Sequence, residues 1–249
     1  MKTTQPQHHM RRVQHLFEKF SNGFPTLSDK EHEMCKYQMA QLKQLAKVSN
    51  YTLALFHPGR RRYHFLHVGA SDFRHLLRHE VSADEFRSVV ESSDREHFAR
   101  AWERAFQFLE GLPADELKDY TLAFECRLRN AKGEYRRVLL KYTLLEHTGH
   151  IALMLYPVAG VNTQPPPRSI YITHLHSRKF MLKEKDCYFC PRELEVASYS
   201  RMGYSDKEIA EMLFIARNTV NNHRRRVLLK TGVREIKFAA MYLHDLGVI

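Results

Sequence analysis

The chain has 249 residues, of which 43% are apolar, so it is long and apolar enough to fold as two domains. Its 39 Lys and Arg residues exceed its 28 Asp and Glu residues, and the net charge of +11 favours an acidic partner such as nucleic acid. No run of 18 apolar residues occurs and no apolar signal opens the chain, which argues against a membrane span and against secretion. We therefore expect a cytoplasmic protein with no membrane partner.

The four cysteines are expected to be reduced thiols in that compartment. Cys187 and Cys190 form a C-x-x-C pair, but the sequence offers no second ligand pair at the spacing of a structural zinc site. We expect ordinary thiols, no metal and no cofactor. The alternative is a redox or metal-dependent enzyme that uses this pair together with the histidine-rich region, since the chain has 16 histidines.

The first segment, residues 1–49, is predicted to be helical, with helices over 10–21 and 30–48. In the second helix, apolar side chains recur at three- and four-residue steps and predict one apolar stripe, which is a second candidate seam for a dimer. The members of this stripe are Met34, Tyr37, Leu42, Leu45 and Ala46.

Residues 50–158 mix strand and helix patterns. Two short β-prone runs flank the turn HPGRR, helices follow over 71–91 and 93–111, and three more strands end the segment. Those strands are YTLAFECRLR, EYRRVLLKYTLLEH and IALMLYPV. Helices inserted into an antiparallel sheet predict an α+β domain.

This order of elements resembles a PAS domain. The run SDREHFARAWERAF resembles the acidic opening of the long PAS helix, and FECRLRNAKGEYRRV resembles the arginine-bearing hairpin that follows it. The resemblance implies a sensing or dimerisation domain. Its aromatic residues are expected either to fill the core or to line a pocket for a small apolar ligand, and the residues concerned are Phe65, Phe73, Trp102, Phe106 and Phe124.

Residues 159–188 are predicted to be a linker, because the run QPPPR favours an extended polyproline form. Within it, IYITHLH is a candidate for one additional strand.

Residues 189–249 predict four helices. Pro191 suits the first position of a helix, and Glu193 follows in the first turn, where the helix dipole favours a carboxylate. Ser205 and Glu208 have the spacing of a capping box and open the second helix, and apolar residues are expected to face inward from it. These residues are Ile209, Ala210, Met212 and Leu213. The third helix is predicted to end at Gly232, and the fourth covers 233–246.

The third helix suits the major groove of DNA, because it is basic and contains no acid between Arg217 and Lys230. Its inner face is predicted to consist of Val220, Val227 and Leu228. The opposite face then carries Asn221, Asn222 and Arg225, which are residue types that read adenine and guanine edges.

These elements closely resemble the LuxR-type helix-turn-helix of bacterial regulators, through PRELEVA, SDKEIAEMLFI, NTVNNH and K-x-GV. The resemblance implies base contacts by Asn221, Asn222 and Arg225. It also implies a set of residues near DNA phosphates, namely Lys207, Arg217, Thr219, His223, Arg224 and Lys230. The fourth helix resembles the element that pairs two such domains, and its candidate interface residues are Phe238, Met241 and Tyr242.

Two residues depart from the family pattern. Ala216 and Cys190 stand where a hydroxyl side chain usually caps a helix, and each loss costs about 1 kcal/mol of stability. The sequence contains no catalytic motif such as a glycine-rich phosphate loop, G-x-S-x-G or H-E-x-x-H. We therefore expect a homodimeric, sequence-specific DNA-binding transcriptional regulator that is not an enzyme.

Overall fold

A computed structural model describes residues 29–49, 51–69, 73–74, 80–113, 115–145, 150–159, 166–182 and 189–249. The helix expected over 10–21 and the cysteine at position 187 lie outside these residues. No helix in the described ranges is long and apolar enough to cross a bilayer.

The structure combines an antiparallel sheet with segregated helices and a helical C-terminal domain, which confirms the predicted α+β fold class. The helices are α1 (Asp29–Ser49), α2 (Ala83–Ser88), α3 (Arg95–Leu109), α4 (Pro191–Arg201), α5 (Asp206–Leu213), α6 (Arg217–Thr231) and α7 (Ile236–Leu246). The strands are β1 (Thr52–His57), β2 (Arg62–His67), β3 (Val81–Ser82), β4 (Tyr120–Arg129), β5 (Tyr135–Leu144), β6 (Ile151–Pro157), β7 (Ile170–His174) and β8 (Phe180–Leu182).

All eight strands form one antiparallel sheet, in the order β3-β2-β1-β6-β5-β4-β7-β8. β7 and β8 come from the segment predicted to be a linker, and they extend the sheet beyond β4. The strand proposed for IYITHLH is present, whereas β8 had no signal in the sequence analysis. The sheet therefore continues past the boundary expected at residue 158.

The inner face of the sheet is covered by α3. Apolar residues of α3 recur at three- and four-residue steps, and they pack against alternate residues of β1, β4, β5 and β6. The α3 residues in this core are Phe98, Ala101, Trp102, Ala105 and Phe106. This packing encloses the aromatic cluster that the sequence analysis expected, including Phe65, Phe73 and Phe124.

An ion pair fixes the start of α3 against the β4–β5 hairpin. The buried Asp94 carboxylate accepts hydrogen bonds of 2.9 Å from the Arg127 backbone N–H, Nε and Nη2. Burial raises the pKa of the Asp94 carboxyl, but the hydrogen bonds and charge of Arg127 outweigh it and hold the pKa below its usual value. The two motifs that resemble PAS sequences therefore meet through this pair.

The outer face of the sheet is covered by two separate parts of the chain. Ala46 and Leu42 of α1 pack over Leu53 and Ala152, while the C-terminal helices cover β4, β5 and β7. Only part of the predicted α1 stripe is buried, because Tyr37 is 65% exposed and Leu45 is 57% exposed. The chain thus has three layers, with α3 on one face and α1 beside the C-terminal helices on the other.

We predict that replacing Asp94 with Ala lowers the free energy of unfolding by about 3 kcal/mol, because it leaves the mostly buried Arg127 guanidinium without its anion. Urea unfolding followed by circular dichroism measures this change. The matched control is Asp84→Ala, whose exposed pair with Arg61 contributes less than about 1 kcal/mol. Equal losses in the two variants would contradict the assigned role of Asp94.

Candidate nucleic-acid interface

The second and third C-terminal helices form where the sequence predicts them. Ser205 opens α5 with a capping box, since the Glu208 backbone N–H donates to Ser205 Oγ at 3.4 Å and the Ser205 N–H donates to Glu208 Oε2 at 2.8 Å. Phe214, at φ 55°, turns the chain out of α5. Gly232, at φ 63°, ends α6 in the left-handed region that glycine adopts without strain.

The face of α6 that points away from the protein carries the residues predicted to read bases. Val220 and Val227 are buried on the inner side of the helix. Asn221, Asn222 and Arg225 are exposed on the other side. One turn of helix separates Asn221 from Arg225, so the three polar side chains form one continuous surface.

Two of the predicted phosphate contacts lie beside this surface. Lys207 and Arg217 are exposed and line an open groove between α5 and α6, together with the almost fully exposed Phe214. Ala216, at the start of α6, makes no side-chain capping bond, as expected. Thr219 is half-buried in the first turn of the same helix.

Two of the other three predicted phosphate contacts, Arg224 and Lys230, are engaged inside the domain. Arg224 pairs with Asp206 and donates hydrogen bonds to Ser200 Oγ at 3.2 Å and to the Tyr204 carbonyl at 3.3 Å. It thereby links α6 to α5 and α4.

Lys230 lies 2.6 Å from the buried Glu193 carboxylate, which also accepts the Cys190 backbone N–H at 2.9 Å. His223 is half-buried, and its Nδ1 is buried with no hydrogen-bond partner in the structure. The charged groups of Arg224 and Lys230 therefore serve contacts within the domain that sequence spacing does not reveal.

The inward face of α5 is narrower than predicted. Ile209, Ala210 and Leu213 are buried with Val196 and Val220, as expected. Met212, in contrast, is exposed, because neighbouring residues on a helix lie about 100° apart and Leu213 already occupies the inner direction. The expectation that Met212 faces inward was wrong.

The three candidate dimer residues of α7 differ in their exposure to solvent. Met241 is 51% exposed, Phe238 is half-buried, and Tyr242 is only 3% exposed. Tyr242 lies in the core between α7 and the sheet, in the same cluster as Tyr171 of β7. In this conformation it is therefore unavailable to a second copy of the chain, which corrects the assignment made from the sequence.

Polar contacts hold the C-terminal helices on the sheet. Glu125 and Arg137 form a buried ion pair across β4 and β5, and Arg137 Nη2 donates to the Thr231 carbonyl at the end of α6 at 2.6 Å. Nearby, Lys141 Nζ donates to the Asp245 carbonyl at 3.2 Å. Burial lowers the pKa of the Lys141 ammonium. These donors complete the ends of two helices whose last carbonyls lack partners within the helix.

The glycines after α6 and α7 allow this close approach. A Cβ atom at Gly232 would lie 3.3 Å from Arg137 Nη1, and one at Gly247 would lie 3.0 Å from Lys141 Nζ. Both glycines also have positive φ angles. A larger residue at either position would crowd the Arg137 or Lys141 side chain that donates a hydrogen bond to the helix end.

The inner core contains one small cavity beside α3. Its volume is about 40 Å³, and its lining includes Trp102, Phe106 and Tyr142. Small-molecule sites usually measure about 300–1,000 Å³. In this conformation the aromatic residues fill the core, and a metabolite would have to displace side chains to enter.

Together, α4 to α7 define a four-helix helix-turn-helix domain. Residues 188–243 match the family described as "Bacterial regulatory proteins, luxR family", so this segment is a LuxR-type helix-turn-helix. The segment is also similar to the transcriptional regulatory protein LnrK of Bacillus subtilis (strain 168), with 42% identity over 57 residues. That match covers 23% of this chain and only 26% of LnrK.

Several solved structures share a distant likeness with the whole chain. The match to the crystal structure of the phage VqmA–DPO complex covers 86% of this chain and 91% of the matched chain, at 11% identity and a TM-score of 0.31. The match to Escherichia coli SdiA covers 96% of this chain and 98% of the SdiA chain, at 14% identity and a TM-score of 0.28.

We predict that Tyr242→Asp and Met241→Asp have opposite consequences for folding. Tyr242→Asp places an unpaired charge in the core between α7 and the sheet and lowers the free energy of unfolding by at least about 3 kcal/mol. Met241→Asp changes an exposed position and costs less than about 1 kcal/mol. Urea unfolding of the two variants measures the difference, and similar losses would show that α7 does not pack on the sheet in solution.

Proposed function

We propose that the protein is a sequence-specific DNA-binding transcriptional regulator that places α6 in the major groove. The observation that carries this proposal is the exposed face of Asn221, Asn222 and Arg225, opposite the buried Val220 and Val227. Asn can make two hydrogen bonds to adenine, and Arg can make two to guanine. The net charge of +11 supports the same conclusion, since DNA is a polyanion. The proposal includes no catalytic activity.

The groove between α5 and α6 supports a pair of phosphate contacts at the edge of that face. Lys207 and Arg217 extend into solvent there, and the backbone N–H groups at the uncapped start of α6 favour an anion. We propose these two residues, with Thr219, as the main phosphate contacts. Arg224 and Lys230 belong in a supporting role, because a phosphate would have to compete with their ion pairs inside the domain. His223 belongs there too, because it is half-buried.

We predict that Arg225→Ala and Lys207→Ala weaken DNA binding in different ways. Arg225→Ala should cost on the order of 1–3 kcal/mol for the preferred site and relax the preference at one base position. Lys207→Ala removes the same charge but should weaken all sequences about equally and reduce the salt slope by about 1. Sequences selected from a random duplex pool, followed by titrations at several salt concentrations, measure both effects. A uniform loss with Arg225→Ala would make Arg225 a phosphate contact and overturn the base-reading role.

We propose that the N-terminal part of the chain is a PAS-like sensing or docking domain. Its sheet encloses an aromatic core under α3, and Asp94 and Arg127 join the two motifs on which the resemblance rests. Because β7 pairs with β4 and β8 pairs with β7, we propose that this domain includes at least residues 51–182 and that the linker is shorter than the sequence suggested. A filled core favours docking over a permanently open ligand site.

We propose that the protein binds DNA as a homodimer, because one recognition helix reads too few base pairs to select a site in a genome. The exposed side of α1 is the surface that supports this proposal best. Tyr37, Leu45 and Val48 are exposed large hydrophobic residues on this helix, and its other side packs on the sheet. A second copy of the same helix would cover them in a twofold pair.

We predict that Leu45→Glu converts the protein to a monomer and lowers specific DNA affinity at least tenfold. Gln44→Glu is the matched control, since it adds the same charge at an adjacent exposed position. Light scattering measures the mass, and footprinting of the wild-type complex should show two half-sites about one helical turn apart or closer. Tight binding of a monomeric wild-type protein to one half-site would overturn the proposal.

A further inference from the structure

Three potential metal ligands from distant parts of the sequence meet where α4 begins. They are the Cys190 thiol before α4, the Glu193 carboxylate in its first turn and the His223 imidazole on α6. Their ligand atoms all lie within 4.8 Å of one another. In the part of the chain that the structure describes, no other group brings three such side chains together. No metal was expected from the sequence, because the C-x-x-C pair lacks a second ligand pair at a suitable spacing. The fold instead brings Glu193 and His223 to Cys190.

The state of His223 points independently to a ligand. Its Nδ1 is buried, and within the described structure it has no hydrogen-bond partner. A buried imidazole nitrogen normally finds a donor or acceptor, because an unmade hydrogen bond costs about 1–3 kcal/mol. Coordination of a cation by this nitrogen would satisfy it.

The chemistry of the three side chains suits a borderline-soft divalent ion. Thiolate, imidazole and carboxylate are the protein ligands of zinc, at about 2.0–2.3 Å from the metal. In a tetrahedral site the ligand atoms are about 3.5 Å apart, so a modest inward rotation of the side chains closes the cluster.

The Lys230 ammonium opposes a cation here, because it lies 2.6 Å from Glu193 Oε2. A carboxylate has two oxygens and about four acceptor positions, so one group can hold a lysine and a metal together. The Lys230 side chain is also partly exposed and can turn toward solvent. The charge of Lys230 therefore lowers the affinity of the site for a cation but does not prevent binding.

We propose that Cys190, Glu193 and His223 form a zinc-type metal site that fastens the start of α4 to the recognition helix α6. Water completes the coordination, since Cys190 and His223 are only half-buried. The ion would stabilise the helix-turn-helix domain, because it binds the folded arrangement and not the unfolded chain. The site does not depend on the proposed DNA-binding function.

Cobalt(II) titration of the full-length, reduced, metal-stripped protein tests the site. We expect one equivalent to produce a thiolate-to-cobalt charge-transfer band with the intense visible bands of a tetrahedral centre, and zinc to abolish both. Cys190→Ser should remove the charge-transfer band while keeping a side chain that caps helices well, so the fold is preserved. His223→Gln should weaken cobalt binding by more than the ~10–100-fold that loss of a supporting residue causes.

Two controls separate this site from the other thiols and imidazoles of the chain. Cys35→Ser and His244→Gln change residues outside the cluster and should leave the cobalt spectrum unchanged. Zinc should raise the unfolding temperature of the wild-type protein by several degrees and leave that of Cys190→Ser unchanged.

Absence of the charge-transfer band at one equivalent, or its survival in both Cys190→Ser and His223→Gln, would overturn the proposal. DNA binding by the metal-stripped protein is measured separately. Its failure would count against the regulator function and not against the metal site.

Discussion

The ion pair between Glu125 and Arg137 is the interaction on which the arrangement of the two halves depends. Both side chains are buried on the outer face of the sheet, and Arg137 also donates to the Thr231 carbonyl at the end of α6. A charge removed from water is costly unless it is paired and fully hydrogen-bonded. The C-terminal helices supply that burial and the additional acceptor. The position of α6 is therefore coupled to the register of β4 and β5, where Glu125 lies opposite Leu139 and Arg137 opposite Arg127.

This docking has different effects on α6 and α7, the helices proposed for base reading and for dimerisation. α6 attaches by its C-terminal end, so its exposed face from Asn221 to Arg225 stays open to solvent. α7 attaches along its length, with Ala239, Tyr242, Leu243 and Leu246 in the shared core. The helix expected to pair two domains thus serves first to hold its own domain on the sheet. A dimer built on α1 needs no change in that contact, whereas one that uses Tyr242 of α7 needs the domain to leave the sheet.

Ion pairs orient the helices of the helix-turn-helix domain around a small apolar cluster. Val196, Ile209, Leu213 and Val220 form that cluster with few other residues. Arg224 joins three helices through Asp206, Ser200 and Tyr204, and Lys230 reaches the buried Glu193. Such pairs orient the helices more than they add net stability, because desolvation offsets much of the attraction. A metal at Cys190, Glu193 and His223 would act on this same network, where the apolar core is smallest.

Local patterns in the sequence determined the C-terminal helices and the exposed polar face of α6, because both depend on short spacings. The capping box at Ser205, the end of α6 at Gly232 and the exposure of Asn221, Asn222 and Arg225 all follow from residues within one or two helical turns. The tertiary structure decided the rest. Alternation in β4 and β5 implied one solvated face, yet Glu125 and Arg137 are buried there, since only the fold brings α6 and α7 onto that face. The same docking hides Tyr242, and packing of α4 against α6 brings His223 to Cys190. Contacts between residues far apart in the chain leave no periodic signal, so spacing could not reveal them.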